Sequence, residues 1–332
     1  MSSDAKHGIN RLSVGGLLIS LGIIFGDIGT SPLYVFKAIF NQGYIERSLV
    51  MGGISCVFWT LTLQTTIKYV IITLNADNKG EGGILSLFSL VKRKAKWLII
   101  PAIIGASTLL ADGMITPAIT ISSAIEGLAI HNPNFPTVPI VIVIISLLFL
   151  IQRFGTSIVG RLFGPLMLIW FSTIGILGLS YIGKAPEVLK ALNPIYAIET
   201  LINYPNALLF VGAIFLCTTG AEALYSDMGH AGKTNIRVSW IFVKLALILN
   251  YFGQGAWLII HEGQKLGDQN PFYSIMPEWF LFYGIGIASI AAIIASQAMI
   301  SGSFTLIAEA VRLNIWPKVA IRYPSDQKGQ LY

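Results

Sequence analysis

A polytopic, all-helical membrane fold is predicted by three observations. Of the 332 residues, 54% are hydrophobic and only 11% are charged, and the mean hydropathy is +0.72, which places the chain outside the soluble domains. The apolar residues fall in long runs, several of them long enough to cross a bilayer, which takes about 20 residues of helix. Three of these runs carry a carboxylate well inside them, Asp27, Asp112 and Glu222, each among glycine, proline or hydroxyl residues. A plain anchor has no use for such groups, whereas interrupted helices with intramembrane carboxylates are where secondary transporters bind ions.

Eight runs are expected as spans: residues 13–40, 49–74, 99–130, 138–151, 163–181, 207–226, 238–260 and 279–306, the fourth being short. The first twelve residues are polar and lead straight into a long span, so a cleavable signal peptide is not expected. Between spans, Lys and Arg collect on one side, as in Lys92-Arg93-Lys94, and only Arg47, Lys184, Lys190 and Lys265 fall on the other. The positive-inside rule then predicts a cytoplasmic N-terminus (1–12), an extracellular connection (182–206) and a cytoplasmic segment from 307 to 332, in a cell inner or plasma membrane. Basic loops facing anionic headgroups account for the net charge of +6 without a nucleic-acid partner. Lys68 and Lys244 lie near the ends of their spans, where they are expected to snorkel and stay out of any transport path. Cys56 and Cys217 both fall within spans, so no structural disulfide is expected.

In the first run, Gly26-Asp27-Ile28-Gly29-Thr30-Ser31-Pro32 predicts a broken helix. Pro32 removes a donor and opposes the carbonyl four residues back, and the glycines tolerate non-helical dihedrals. Freed carbonyls and Asp27 would then face protein or a wet cavity. The second run carries Thr60, Thr62, Gln64, Thr65 and Thr66, a polar face for helix packing with no chemistry assigned. Asp77-Asn78-Lys79-Gly80-Glu81-Gly82-Gly83 lacks the Gly-Lys-Ser/Thr ending of a phosphate loop, which removes the nucleotide reading. The apolar stretch from Ile84, with its basic sequel, suits an interfacial helix with Glu81 near its positive end.

In the third run, Asp112, Thr116 and Thr120 are spaced i, i+4 and i+8, which makes one helix face a ladder of oxygens loosened by Pro117. The hydroxyls alone would serve equally as bonds between helices. Glu126 lies about 21 Å further along at 1.5 Å per residue, at the far mouth, where it is expected to be solvated or to collect cations. The turn at 152–161 and the proline-bearing 186–205 stretch carry no chemistry, the latter reading as short surface helices. In the sixth run, Thr219, Glu222 and Tyr225 share a face and Gly220 allows a local break. If residues 13–181 and 207–306 belong to inverted five-helix repeats, runs one and six are counterparts, and paired interrupted segments point to a transporter site. His230 is read as a surface or capping group, and Gln297 with Ser301 as a face for close packing.

The stretches Gly26-Asp27-Ile28-Gly29-Thr30-Ser31-Pro32-Leu33-Tyr34, Asp112-Gly113-Met114-Ile115-Thr116-Pro117-Ala118, Gly220-Ala221-Glu222-Ala223-Leu224-Tyr225 and Ala295-Ser296-Gln297-Ala298, with Asn78-Lys79-Gly80-Glu81-Gly82-Gly83, closely resemble the Kup/HAK/KT potassium uptake permeases. The resemblance implies a LeuT-type fold of the amino acid–polyamine–cation superfamily and potassium import coupled to protons. It also implies a homodimer of the full-length form, no cofactor and no enzymatic activity. By the same resemblance, potassium is held by Asp27 and Tyr34 on the first helix, Asp112, Thr116 and Thr120 on the third, and Thr219 on the sixth. Glu222, with Asp27 beside it, is implied in proton coupling. Family members continue with further helices, usually twelve in all, so the resemblance implies a fragment or a shortened copy.

The chemistry of the residues agrees. Hydroxyls, carbonyls and a few carboxylates can replace the water shell of potassium, and carboxylates crowded around one monovalent cation do not all stay ionised. An amino acid carrier of the same fold would find its substrate carboxylate repelled by Asp27. An intramembrane aspartyl protease would need Gly-x-Gly-Asp and Tyr-Asp, where Phe25-Gly26 and Ala111 stand instead, and a potassium channel would need an absent Thr-Val-Gly-Tyr-Gly filter.

Overall fold

The computed structural model describes residues 11–40, 43–78, 80–130, 135–152 and 157–319, and among them every regular element is helical. The expectations for the N-terminal ten residues, Lys79, Arg153 and the segment beyond Val319 lie outside the described residues.

The first run is two helices, α1 (Val14–Ile24) and α2 (Gly26–Phe40), meeting at 65°. Ser13 caps α1 by accepting from the Gly16 amide at 3.0 Å. The bend sits at Phe25, just ahead of the Gly26–Pro32 stretch in which it was expected. There α1 ends in a π turn, with the Phe25 amide donating to Ser20 O at 3.0 Å. Pro32 produces a second irregularity, a 3-10 turn over Ser31–Leu33, before α2 resumes at Val35.

The other long helices are α3 (Arg47–Asn75) and α5 (Lys96–Ile130), flanking the short α4 (Ile84–Val91). Then come α6 (Thr137–Gln152), α7 (Ser157–Ile182) and α8 (Ile195–Asn203). The sixth run divides into α9 (Ala207–Phe215) and α10 (Ala223–Ser226), after which α11 (Met228–Ala231) leads into α12 (Lys233–Ile260). The chain closes with α13 (Pro271–Ser274) and α14 (Glu278–Arg312).

Six helical runs among the described residues are long and apolar enough to cross a membrane, and the bent α1–α2 pair makes a seventh. The fourth expected span is a shorter apolar helix, with residues 137–150 meeting the apolar criterion. The expected surface helices appear as a 3-10 run over Pro186–Leu192 and as α8. Cys56 and Cys217 are buried free thiols.

The core lies where α7 and α12 run against α1 and α2. Trp170, Phe171, Tyr251, Phe252, Phe25 and Phe36 are fully buried there. Gly178 and Gly253 let α7 and α12 approach so closely that a methyl on Gly253 would overlap the Gly178 backbone, the small-residue contact that sets helix packing in membranes. α14 packs against both α2 and α5, with Ala295 behind Gly26 and Ser303 behind Gly113. Outward, α6 presents Val138, Ile142, Val143 and Leu147, an apolar face suited to lipid rather than water.

Candidate functional site

Asp27 stands in the first turn of α2, directly after the bend, because the change of direction at Phe25 drops it into the middle of the bundle. It is 3% exposed, and neither carboxylate oxygen has a hydrogen-bond partner. Burying a carboxylate without a donor or a cation is among the most expensive acts in protein structure, so these two oxygens point to a ligand.

Two further carboxylates complete the arrangement. Asp112 arrives from the middle of α5 and Glu222 from the turn between α9 and α10, and one oxygen of each of the three residues lies within 4.8 Å of the others. The oxygen ladder on α5 forms as its spacing predicts: Thr116 Oγ1 donates to Asp112 Oδ1 at 2.6 Å. Thr120 sits one turn on, buried, with its hydroxyl unpartnered. Tyr34, also buried, has its hydroxyl in hydrogen-bonding reach of Thr219. The Glu222 carboxyl is in hydrogen-bonding reach of Asp112.

The sixth-run break is the feature that admits Glu222. Gly220 adopts φ +85°, and a Cβ at that position would come within 2.7 Å of Asp27 Cβ, Asp27 Oδ2 and the Ile28 amide. Only glycine combines that dihedral with so close an approach. The structure therefore brings together six of the seven residues singled out in the sequence, from three separate segments, while Thr120 lies one turn further along α5, its hydroxyl making no contact with the carboxylates among the described residues.

It also shows how the first break is held, with its freed carbonyls facing protein rather than a wet cavity. The carbonyls freed by the first break are not left open: Trp170 Nε1 donates to Gly29 O at 2.9 Å, Gln254 Nε2 to Pro32 O at 3.0 Å and Asn270 Nδ2 to Leu33 O at 2.8 Å. Ser31 Oγ takes Ile28 O at 2.6 Å, and Asn250 Oδ1 steadies Gln254 at 2.7 Å. The ligand-facing oxygens at this break are those of side chains. Glu126 is partly exposed, as expected, and is also ion-paired with Lys37 of α2. Nearby, Tyr273 OH donates to Ala124 O at 2.7 Å, which ties α13 to the same end of α5.

The second run takes part as well. Gln64, Lys68 and Tyr69 of α3 line a cavity of about 540 Å³ together with Asp112, Thr219 and Glu222. Lys68 therefore borders the site's cavity, whereas Lys244 lies against the Phe58 ring. His230 is a surface group near Asp227, with 3.8 Å between Nδ1 and Oδ1. The cavity reaches Gly83, Ile84, Tyr225 and Ser226, toward the end of the bundle where Lys233 pairs with Asp77. The Lys233 ammonium, bonded to Asp77, holds that carboxyl below the usual range.

A family model described as the K+ potassium transporter integral membrane domain matches residues 14–332. A probable potassium transport system protein Kup of Cytophaga hutchinsonii is 62% identical over 336 residues, covering 99% of this chain and 51% of that protein. One from Flavobacterium johnsoniae is 62% identical over 341 residues, covering 100% and 52%. Another, from Clostridium perfringens, is 52% identical over 348 residues, covering 99% and 52%. The chain thus spans about half the length of these curated relatives. No solved structure matches it. The match to the family, running unbroken from Val14 to the last residue and through all three carboxylate-bearing segments, makes the chain a member of the potassium transporter integral membrane domain family.

Proposed function

We propose that the chain forms the ion-binding part of a potassium uptake transporter, working as a proton:potassium symporter by alternating access. The observation that carries this reading is Asp27, whose two buried oxygens lack any partner within a group of three carboxylates. Its donor set is all oxygen: carboxylates from Asp27 and Asp112 and hydroxyls from Tyr34, Thr116, Thr120 and Thr219. Hard oxygen ligands suit an alkali cation, and the relatives' names supply potassium as the ion.

Proton coupling follows from charge. Unit charges about 4 Å apart repel by about 4 kcal/mol at an effective dielectric of 20, so three anions and one monovalent cation leave the site overcharged. A proton between Glu222 and Asp112 together with potassium at Asp27 brings the balance close to neutral, and that loaded state is the one that can change its facing. The same reading carries a LeuT-type fold of inverted repeats, with residues 138–151 as the short fourth of eight spans and the N-terminus cytoplasmic. The large cavity then opens inward, and the Lys37–Glu126 end is the closed outer one.

Rubidium binding to the purified chain, followed by uptake into proteoliposomes with and without an inward proton gradient, tests it. Wild type should bind rubidium and Asp27→Asn should lose at least about a hundredfold in affinity, the scale of removing a buried charged ligand. Binding unchanged in Asp27→Asn would remove the site; uptake in Glu222→Gln as dependent on the gradient as in wild type would remove the coupling.

A further inference from the structure

Asp27 does not border the large cavity. It borders a second and smaller one, about 50 Å³ in volume, which runs from Asp27 and Glu222 along α14 to Asp227 and Glu309. Met299, Gly302, Leu306 and Glu309 recur at three- and four-residue spacing on α14 and so share the face that forms its wall. A space of this size holds one or two waters and no hydrated alkali ion. It has Glu222 at one end and Glu309 at the other, with the unpartnered, almost fully buried Asp27 carboxylate aimed into it. None of the seven residues assigned to the ion site lies on α14.

We propose that Glu309 is the proton-release station of the transporter, reached from Glu222 through water in this small cavity. The inference rests on the proton-coupled reading above. In the step, the O–H bond of Glu222 breaks and its proton passes to cavity water, which in turn protonates the Glu309 carboxylate. Glu222 is left ionised and Glu309 neutral, and the proton then passes to solvent water. Chains of carboxylates and water are the usual intramembrane proton relays. The groups facing Glu309 are Glu81 from the loop before α4, Asp227 between α10 and α11, and Arg312 one turn on along α14; His230 in turn faces Asp227. Two acids against one guanidinium let Glu309 accept a proton without building net positive charge, and let it pass the proton on near the surface.

Lys68 lines only the wide cavity, and the narrow one is lined by carboxylates with no basic side chain, so a proton moving from Glu222 to Glu309 passes no fixed cation.

The whole chain in liposomes allows two measurements on each variant: rubidium binding, and an infrared pH titration of the protonated-carboxyl stretch, which needs no turnover. Wild type should show two titrating buried carboxyl components. Glu222→Gln should remove one and Glu309→Gln the other, with rubidium affinity in Glu309→Gln within about threefold of wild type and the second component restored in Glu309→Asp. Where rubidium drives proton movement, Glu309→Gln should slow the appearance of protons inside by about tenfold or more, a modest share of what a positioned acid or base contributes. An infrared titration unchanged by Glu309→Gln overturns the proposal. So does rubidium binding lost together with the component, since Glu309 would then belong to the cation site. Absence of rubidium binding in wild type is a separate result and counts against the ion-site reading itself.

Discussion

The two helix breaks that meet at the carboxylate cluster are held in opposite ways. Around the first, donors from three distant parts of the chain, Trp170, Gln254 and Asn270, take the carbonyls of Gly29, Pro32 and Leu33, and Tyr251 OH reaches Ser31 Oγ at 3.3 Å. Around the second, the backbone from Thr219 to Glu222 is held by local turn bonds such as Ala221 N to Thr218 O at 3.0 Å and Ala223 N to Gly220 O at 3.2 Å, and only its side chains reach other helices, Thr219 toward Tyr34 and Glu222 toward Asp112. A break locked by neighbouring helices is part of the scaffold; a break held by local turns is free to change with its ligand. The Asp27 side of the site is thus preorganised, and the Glu222 side is where a conformational change costs least.

The largest effect that sharpens this contrast belongs to Gly220→Ala. The positive φ alone costs about 1–2 kcal/mol for an L side chain, and the new methyl would press on Asp27 and the Ile28 amide. Rubidium binding should be abolished and the detergent-solubilised chain should melt earlier. Retention of binding in this variant would mean that the second break need not keep its present shape.

A middle-sized effect is expected where the first break is capped. Gln254→Leu leaves Pro32 O and Asn250 Oδ1 without their donor in a fully buried position, which costs about 1–3 kcal/mol. Thermal unfolding in detergent should register that loss, with rubidium affinity falling less than in Gly220→Ala, because no site oxygen is removed. An affinity loss as large as that of Gly220→Ala would erase the distinction between the two breaks.

The sequence shows the site better than it shows what supports it, for a physical reason. An intramembrane carboxylate is costly wherever it points, so Asp27, Asp112 and Glu222 are visible without knowing their neighbours. A buried Trp, Gln or Asn is costly only if unpaired, and its partner is set by tertiary packing: Trp170 lies 141 residues from Gly29, and Gln254 222 from Pro32. The Lys37–Glu126 pair was hidden in the same way, Glu126 alone reading as a charge at the far mouth. The bend at Phe25 was displaced from the Gly26–Pro32 stretch because the π turn of α1, which no residue type marks, relieves the chain before the glycines are reached. That Lys68 lines the cavity was not legible, because position along a helix says how near the end a side chain is, while the face it occupies follows from the π-helical winding of Leu61–Ile72.

The smallest expected effect lies outside the membrane, where the second break continues toward Asp77 and Lys233. Asp77 also accepts from the Gly80 amide at 2.8 Å, so the pair fixes the loop against the start of α12. The Lys233 bond lowers the Asp77 carboxyl below its usual range, so its contribution is present above the unfolded-state value of about 3.9 and fades as pH falls through the lowered folded-state value. Both side chains are about a quarter exposed, which limits the contribution to roughly 0–1 kcal/mol. Asp77→Asn should therefore melt slightly earlier than wild type at neutral pH, and the gap should close in acid. Because the Tyr225 hydroxyl donates to Ala76 O beside it, loosening this loop should act on the second break and leave the first untouched. Hydrogen exchange in Asp77→Asn would then rise over residues 219–226 and stay at the wild-type level over 26–34. A rise in both would show that the two breaks move as one unit and that the rigid side of the site is not independently held.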